Sequence, residues 1–457
     1  MNTSAIRLLS LVFGMVICST AVGNDVIVEW NKVLSDTLLS NTSFQNPGMA
    51  SRSLAMTNIA MYDALNAISP KHVPIYATPT PPIGASAEAA ALAAGYRVLS
   101  EIYPDQQSLI DSGYNSILAT LPAGSSTNAG LSFGDTVGLN MVQLRTNDGY
   151  QAMTSYMPTG QIGKWSPDPL NPTQEAWGPE WGKLTTFALP DTSSMMPGPM
   201  PSLTSQQYTD AFNEVKELGS LNSASRTAEQ TEIALFWAYD RVGMGTPMRL
   251  YLQVMEKVSA GQGNDLHENA RMYALASTAL ADAGIVAWDA KFLYDFWRPV
   301  TGIRDADLDG NPDTIADPTW TPLGAPGGLH PDGSTIPDFT PPFPTYISGH
   351  ATFGGALFGS LESFYGTDDI SFSLTSDETP GAVRDFDSFS EAMIENGRSR
   401  VYLGIHWNFD DMVARDVGSD ISGYIATNYF QPVPEPSSHV LLLAATGVLA
   451  LRVRRRR

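Results

Sequence analysis

The sequence predicts an all-α protein, a helical bundle or a pair of bundles with long loops rich in proline and glycine. Alanine, leucine, methionine and isoleucine recur at helical spacing over most of residues 49–427. No run of alternating, β-branched residues indicates a strand. Since 43% of the 457 residues are hydrophobic and 16% are charged, the chain can bury a large core. We therefore expect one helical domain over residues 24–430.

The predicted helices follow one another with three interruptions. Segments with helical spacing are 49–68, 86–103, 130–146, 225–239, 247–260, 268–299, 349–365, 386–402 and 405–427. The interruptions are 68–84, 147–203 and 302–347, and the second is rich in Pro, Gly, Trp and Met. Loops of this length in a compact protein are usually functional or capping.

The two ends of the chain have the composition of export signals. Residues 1–23 hold Arg7, an apolar run and then small residues, which is the pattern of a secretory signal peptide; a buried N-terminal helix is the alternative. Residues 431–457 hold a Pro-Glu-Pro motif, a short apolar stretch and an arginine-rich end. The stretch is short for a stable membrane span.

The C-terminal tail resembles the PEP-type sorting signal of Gram-negative bacteria. The resemblance implies transient insertion of the tail into the inner membrane and cleavage by a sorting protease. The protein would then reach the cell surface or the extracellular matrix. A permanent membrane anchor is the alternative.

Charge and cysteine usage exclude several classes of function. Six of the 26 basic residues lie in the two ends, so residues 24–436 carry 20 basic and 47 acidic side chains, a net charge of −27. Such a body does not suit nucleic acid, and any bound anion must be held by a local cluster of cations. The one cysteine, Cys18, lies in the predicted signal peptide, which excludes disulfides and thiolate sites from the mature chain.

Lys291 and Arg298 begin the first of three segments suited to binding an anion. They are seven residues apart, which on one helix places both cations on the same face, and Pro299 disturbs or ends that helix. Two cations in an apolar, aromatic segment are costly unless an anion meets them. A solvated or salt-bridged pair is the alternative.

The second segment is Ser348-Gly349-His350, before an apolar helix. Ser348 is placed to cap the helix, Gly349 permits close approach of a ligand, and a helix N-terminus attracts anions. His350 lies in the first turn and would face the bound group. A capped helix with an incidental histidine is the alternative.

The third segment contains Arg400, His406 and Asp410. His406 and Asp410 are four residues apart, so the carboxylate can fix the imidazole tautomer and leave the other nitrogen free as a ligand or nucleophile. Arg400 and His406 do not share a face of one continuous helix, so we expect a turn near Gly404. A structural hydrogen bond is the alternative for the His–Asp pair.

Together these segments resemble the superfamily of vanadium-dependent haloperoxidases and type 2 phosphatidic acid phosphatases. The superfamily pattern is a Lys and an Arg-Pro seven apart, then Pro-Ser-Gly-His, then Ser-Arg with a His and an Asp following. The sequence departs from it at Ile347, where the pattern has proline. Residues 50–56, 60–67 and 288–291 are similar to bacterial chloroperoxidase-like members.

The resemblance implies a site for a tetrahedral oxyanion, vanadate or phosphate, within residues 288–410. The residues that match the oxyanion-binding set are Lys291, Arg298, Ser348, Gly349, Arg400 and His406. His406 would ligate vanadium in a peroxidase or attack phosphorus in a phosphatase. His350 would be the acid–base group, and Asp410 would orient His406.

The resemblance favours an exported haloperoxidase that uses hydrogen peroxide to oxidise a halide or a small organic acceptor. Trp288 and Phe343 match aromatic positions beside the site and would form a halide pocket; ordinary aromatic packing is the alternative. No run of about 20 apolar residues occurs in 24–436, which disfavours the integral-membrane phosphatases. A soluble acid phosphatase with a phosphohistidine intermediate, and a non-catalytic surface or matrix protein, are the alternatives.

Two further sequence features, an acidic loop and His330, give weaker evidence for a functional site. Asp305, Asp307 and Asp309 precede Gly310 in the spacing of a calcium loop. Ala316 occupies position 12, which contradicts an EF-hand, and an acidic, solvated loop is favoured over a calcium site. His330 lies just before the second segment and could line the site entrance.

Overall fold

The computed structural model describes residues 25–40, 46–241, 243–326, 328–329, 335–336 and 340–433. The predicted signal peptide (1–23), His330 and the part of the sorting tail beyond residue 433 lie outside these residues. Within them, the chain forms α-helices and two very short antiparallel sheets. The predicted all-α fold is therefore confirmed.

The helices and strands are numbered in chain order. The helices are α1 (Val26–Ser40), α2 (Pro47–Ile68), α3 (Ala87–Ile102), α4 (Gln107–Leu118), α5 (Ser125–Arg145), α6 (Gln206–Leu218), α7 (Ala228–Phe236), α8 (Thr246–Gln262), α9 (Leu266–Tyr294), α10 (Pro299–Arg304), α11 (Gly349–Tyr365), α12 (Phe389–Tyr402) and α13 (Asn408–Asn428). The strands are β1 (Gly328–Leu329), β2 (Thr335–Ile336), β3 (Phe372–Thr375) and β4 (Val383–Phe386). Strand β1 pairs with β2, and β3 pairs with β4.

Helices α1, α4 and α6 and the β3–β4 hairpin were not predicted. Helix α4 buries only Ile110 and Ile117, so its apolar pattern is weak. Helix α6 is rich in polar residues and begins at the Ser205 cap, whose side chain accepts a hydrogen bond from the backbone of Tyr208. The hairpin strands are half exposed, and single buried residues such as Leu374 and Phe386 mark their inner face.

The prediction that Lys291 and Arg298 share one face of a helix is wrong. Helix α9 ends at Tyr294, and Asp295 adopts a left-handed conformation with φ of +53°. Arg298 then lies in extended backbone and precedes Pro299, the first residue of α10. A residue before proline disfavours helical backbone, whereas proline itself suits the first helical position.

Helix α9 is the central element of the fold. Nearly every residue from Asn269 to Trp288 is buried, and the helix packs against α2 on one side and against α11 and α13 on another. The pair α11 and α13 approaches closely because both helices present glycines. A Cβ atom on Gly418 would lie 2.2 Å from the carbonyl oxygen of Thr352, and one on Gly355 would lie 2.3 Å from that of Arg415.

The long segment 147–203 docks onto α9. The buried carboxylate of Asp282 accepts hydrogen bonds from the backbone N–H groups of Phe187, Ala188 and Leu189, at 2.6, 2.9 and 2.8 Å. Paired in this way, the buried polar groups of the loop and helix satisfy each other. Segment 147–203 is therefore held against the same helix that supplies Trp288 and Lys291.

None of the helices in the described part of the chain combines the length and the apolar character needed to cross a membrane.

Candidate oxyanion site

The predicted site residues come together where the ends of several helices meet. Lys291 lies in the last turn of α9, Arg298 precedes α10, and Ser348 caps α11. Arg400 lies near the end of α12, and Asp410 lies in the first turn of α13. The chain turns between α12 and α13 at Gly404, which has φ of +74°, as predicted. Helix termini from distant parts of the sequence thus converge on one buried point.

Lys291 is fully buried and fixes the loop that leads to α11. Its Nζ donates to the carbonyl oxygens of Pro344, Thr345 and Ile347, at 3.0, 2.9 and 2.5 Å. Burial lowers the pKa of Lys291 well below its usual value, and the positive charge of Arg298 lowers it further. Donation to three carbonyl oxygens requires a protonated ammonium group, so the loop holds Lys291 as a cation against the effect of burial.

Arg298 is buried beside His406. Its Nε donates to the carbonyl oxygen of Phe343 at 3.0 Å, and its Nη1 donates to that of Ile405 at 2.8 Å. Nη1 also lies 3.1 Å from Nε2 of His406. Burial lowers the pKa of Arg298 to about 9. Its Nη2 is buried and has no hydrogen-bond partner among the described atoms.

Arg400 is held by a carboxylate that the sequence did not single out. Its Nη2 donates to Oδ2 of Asp240 at 2.6 Å, and its Nη1 lies 3.4 Å from Nε2 of His350. The Nε of Arg400 is buried without a partner in the described part of the chain. Asp240 follows α7 and carries no recognisable motif, so only its position opposite Arg400 reveals it.

His406 is held as a neutral imidazole with a defined tautomer. Its Nδ1 lies 2.9 Å from Oδ2 of Asp410 and 3.0 Å from Oγ1 of Thr345. The hydroxyl of Thr345 in turn donates to Oδ2 of Asp410. Burial and the cations Arg298, Lys291 and Arg400 lower the pKa of His406 well below its usual value. With Nδ1–H directed at the carboxylate, the Nε2 lone pair is available to a ligand.

The carboxyl group of Asp410 is itself fully buried. Burial raises its pKa to about 7, whereas the Thr345 hydroxyl and the charge of Lys291 act in the opposite direction. The backbone N–H of Trp407 also donates to its Oδ2, at 3.2 Å. Thr345 was missed because a hydroxyl in a proline-rich loop gives no sequence signal.

His350 lies in the first turn of α11 and is also neutral. Its Nε2 lies 2.9 Å from the carbonyl oxygen of Trp237. Burial lowers the pKa of His350 to about 4, and the nearby guanidinium of Arg400 adds to that effect. Ser348 caps the same helix, since its Oγ accepts a hydrogen bond from the backbone of Ala351 at 3.4 Å.

A small cavity of about 30 Å³ lies at the centre of the site. The predicted site residues that line it are Trp288, Phe343, Gly349, His350, Arg400 and His406. A volume of this size holds about one water molecule.

Aromatic rings close one side of this cavity. The ring centroids of Trp288 and Phe343 are 4.9 Å apart, and Nζ of Lys291 lies 5.1 Å from the centroid of Phe343. Trp177 from segment 147–203 packs edge-on against Trp288, with centroids 5.2 Å apart. Sequence reasoning missed Trp177, whose only signal was the tryptophan content of that segment.

The donor set fits a small oxyanion. Three buried cations face the buried carboxylate of Asp410 and the partly buried Asp240, so the cluster has an excess of positive charge. Nη2 of Arg298 and Nε of Arg400 are buried and have no partner among the described residues. Buried charges and donors are costly unless a counter-ion satisfies them. The α11 N-terminus adds free N–H groups and the favourable end of a helix dipole.

These features define a class of protein: an all-helical bundle with a buried cluster of cations and histidines suited to a small anion. The chain belongs to the vanadium-dependent haloperoxidase family. It is 30% identical over 493 residues to the vanadium chloroperoxidase of Curvularia inaequalis, an alignment that covers 86% of this chain and 79% of that protein. A family model of the VCPO second helical-bundle domain matches residues 271–433, which contain every predicted oxyanion-binding residue.

Solved structures agree with the fold. The structure of the first bacterial vanadium-dependent iodoperoxidase superposes with a TM-score of 0.75 at 24% identity, covering 90% of this chain and 98% of that chain. A holo-type bacterial vanadium-dependent chloroperoxidase superposes with a TM-score of 0.63 at 16% identity, and the match covers 88% of this chain and 96% of that chain.

A model of the PEP-CTERM protein-sorting motif matches residues 432–457. This match indicates export and C-terminal sorting, as the sequence predicted.

The acidic loop at 305–310, for which a calcium site was the less favoured interpretation, contains no cluster of three or more potential metal ligands among the described residues. Oδ1 of Asp309 accepts the backbone N–H of Asn311 at 2.7 Å, and Oδ2 accepts the hydroxyl of Thr314 at 2.7 Å. The carboxylate of Asp309 therefore stabilises the turn itself.

Proposed function

We propose that the protein is a vanadate-dependent haloperoxidase that oxidises a halide with hydrogen peroxide. One observation carries the proposal. The neutral imidazole of His406, with Nδ1 fixed by Asp410, lies beside Arg298, and Arg298 and Arg400 each keep one buried nitrogen without a partner among the described atoms. The relative from Curvularia inaequalis, a vanadium chloroperoxidase, supports vanadate as the bound oxyanion.

Each residue has a role in this proposal. The guanidinium groups of Arg298 and Arg400, the N–H of Gly349 and the hydroxyl of Ser348 would hold the oxygens of vanadate, and Nε2 of His406 would ligate the vanadium. Bound vanadate supplies a Lewis acid that polarises hydrogen peroxide.

The remaining site residues either transfer protons or hold the site in place. His350 is neutral above about pH 4, so its imidazole can take a proton from incoming peroxide. Asp410 and Thr345 keep the proton of His406 on Nδ1. Lys291 holds the 344–347 loop and adds positive charge to the site.

The aromatic wall favours halide oxidation over phosphate transfer. Trp288 and Phe343 line the small cavity and exclude water from one side of it. A halide there would be poorly solvated and so easier to oxidise. Soluble acid phosphatase chemistry would use the same His406 nitrogen as a nucleophile, and it is the alternative outcome of the experiment below.

The proposed location follows from the sorting motif. We propose that residues 1–23 are removed as a signal peptide. The tail at 431–457 is then cut by the sorting protease, which leaves the enzyme at the cell surface or in the extracellular matrix.

The test is bromination of a phenol indicator by the purified protein with orthovanadate, hydrogen peroxide and bromide. We expect bromination that requires vanadate, is abolished in His406→Ala and is retained in His267→Ala, a histidine outside the site. Hydrolysis of p-nitrophenyl phosphate without bromination, lost in His406→Ala, would instead identify a phosphatase. If neither activity is found, the chain is a non-catalytic surface protein.

A further inference from the structure

A second and much larger cavity lies beside the candidate site. Its volume is about 870 Å³, and residues of segment 147–203 form most of its wall. This volume lies within the range of about 300–1,000 Å³ typical of pockets for small organic ligands. The oxyanion cavity has room for about one water, so the larger cavity is the one of the two that can hold an organic molecule.

Two layers of aromatic rings lie between the two cavities: Trp177 lines the large one, and Trp288 and Phe343 line the small one. Trp177 lines the large cavity and packs against Trp288 and Phe343, with ring centroids 5.2 and 6.3 Å apart. The backbone N–H of Trp177 donates to the carbonyl oxygen of Pro342 at 2.8 Å, which fixes segment 147–203 to the loop of the site. A molecule in the large cavity would therefore lie next to the aromatic wall of the small one.

The walls of the large cavity suit a flat aromatic molecule. Its aromatic lining residues are Tyr150, Tyr156, Trp165, Trp177 and Trp181. Aromatic rings prefer edge-to-face and offset contacts with one another, and such pairs contribute beyond simple burial. Two lining methionines, Met153 and Met157, have exposed fractions of 96% and 79%, and methionine adapts readily to aromatic surfaces.

Charge at the large cavity selects against anions. Its described lining residues include Glu175 and Glu180 and no lysine or arginine. Lys183 contacts Glu180 at 2.7 Å but does not line the cavity, so Glu175 contributes negative charge without a lining cation. The chain as a whole is also acidic. An anionic ligand would meet repulsion on entering.

We propose that this large cavity is a binding site for a neutral, planar aromatic molecule, held two layers of aromatic rings away from the oxyanion site. If the protein is the haloperoxidase proposed above, the bound molecule is the organic acceptor that becomes halogenated. This role of the large cavity rests on the proposed function. The affinity itself depends only on the cavity and needs neither vanadate nor peroxide.

The first test compares two probes of similar shape and different charge. Isothermal titration of the full-length protein at pH 7, without vanadate, measures binding of 2-naphthol, which is neutral, and of 2-naphthoate, which is anionic. We expect 2-naphthol to bind more tightly by at least about tenfold, because the carboxylate probe is repelled. Equal affinities, or tighter binding of 2-naphthoate, would overturn the inference.

Two pairs of variants locate the binding site. Ala152 is exposed and lines the cavity, so Ala152→Trp should fill space and weaken 2-naphthol binding by about tenfold or more. Ala224→Trp, at an exposed loop position elsewhere, should leave it unchanged. Equal effects of the two substitutions would show that the probe binds elsewhere.

The second pair, two double variants, tests whether the carboxylates that line the cavity cause the selectivity against anions. Glu175→Gln combined with Glu180→Gln should narrow the preference for 2-naphthol over 2-naphthoate. Asp36→Asn combined with Asp416→Asn, which neutralises two exposed carboxylates outside the lining, should not. If both double variants narrow the preference equally, the selectivity belongs to the overall charge and the proposed role of the cavity fails.

Failure of this inference is distinguishable from failure of the proposed function. Bromination without 2-naphthol binding would leave a haloperoxidase that lacks this aromatic site. Selective binding of 2-naphthol without bromination would confirm that the large cavity binds aromatic molecules, but it would show that the bound molecule is not a bromination substrate.

Discussion

At the scale of single residues, the chemistry of the site depends on which groups are left unsatisfied. Three carbonyl oxygens accept from Lys291, and Asp240 accepts from Arg400. Nη2 of Arg298 and Nε of Arg400 have no partner among the described atoms. The loop therefore satisfies the lysine, while the two arginines keep donors for a bound anion. Sequence motifs identified all three cations but could not distinguish these roles.

Thr345 gives the first prediction. Its hydroxyl contacts both Asp410 and His406, so it helps to fix the imidazole that would ligate vanadium. Outer-shell partners of metal ligands typically change metal affinity by about 10–100-fold. We expect Thr345→Val to weaken orthovanadate binding by about tenfold and Thr345→Ser to restore it, as measured by isothermal titration. Unchanged affinity in Thr345→Val would show that Asp410 alone orients His406.

His350 gives a prediction on pH. Its pKa is about 4 in the folded protein and about 6.5 in an unfolded chain. The unfolded state thus binds the extra proton first as the pH falls, so stability is lost between about pH 6.5 and pH 4. A shift of this size corresponds to about 3 kcal/mol.

The measurement is urea unfolding without vanadate or phosphate, at several values between pH 7 and pH 4. Wild-type protein should lose about 3 kcal/mol more of its free energy of unfolding than His350→Gln over this range. Parallel pH profiles for the two proteins would contradict the assignment of a buried, neutral His350.

At the scale of elements, the close packing of α11 on α13 positions His350 and Asp410. Both residues lie in the first turns of these helices, so the distance between the helices sets the geometry of the site. The sequence predicted both helices, since their apolar spacing is regular. It could not predict the contact, because a glycine in a helix gives the same local signal whether or not another backbone lies against it.

Two glycines of α13 provide a matched test. A Cβ atom on Gly418 would lie 2.2 Å from the carbonyl oxygen of Thr352, whereas one on Gly423 would have no neighbour within 4 Å. Both alanine variants gain helix propensity of about 1 kcal/mol. We therefore expect Gly423→Ala to unfold at an equal or higher temperature. Gly418→Ala should be less stable by about 1–3 kcal/mol; equal melting temperatures would contradict the close contact.

At the scale of the whole molecule, charge is distributed unevenly. The chain has a net charge of −21, yet three buried cations gather at one site. The last described residues also have a fixed place, because the backbone N–H of Val433 donates to the carbonyl oxygen of Lys71 at 3.1 Å. The sorting tail thus continues from a point that is attached to the body.

This charge distribution predicts an unusual salt dependence. The acidic body repels an approaching anion over long range, and salt screens that repulsion. The buried cations that hold the anion are screened much less. We therefore expect orthovanadate affinity to stay constant or rise as sodium nitrate increases from about 10 to about 150 mM. A tenfold fall in affinity, measured by titration, would indicate binding to an exposed basic surface.

The sequence by itself determined the helical class, the C-terminal sorting motif and the chemical types in the site, because these follow from local spacing and from short motifs. It placed His406 and Asp410 four residues apart and predicted the turn at Gly404. Only the tertiary structure decided that α9 ends between Lys291 and Arg298, and that Asp240 and Thr345 join the site. It also placed Trp177 between two cavities. These contacts join residues far apart in sequence, and no local pattern records which partner the folded chain brings to them.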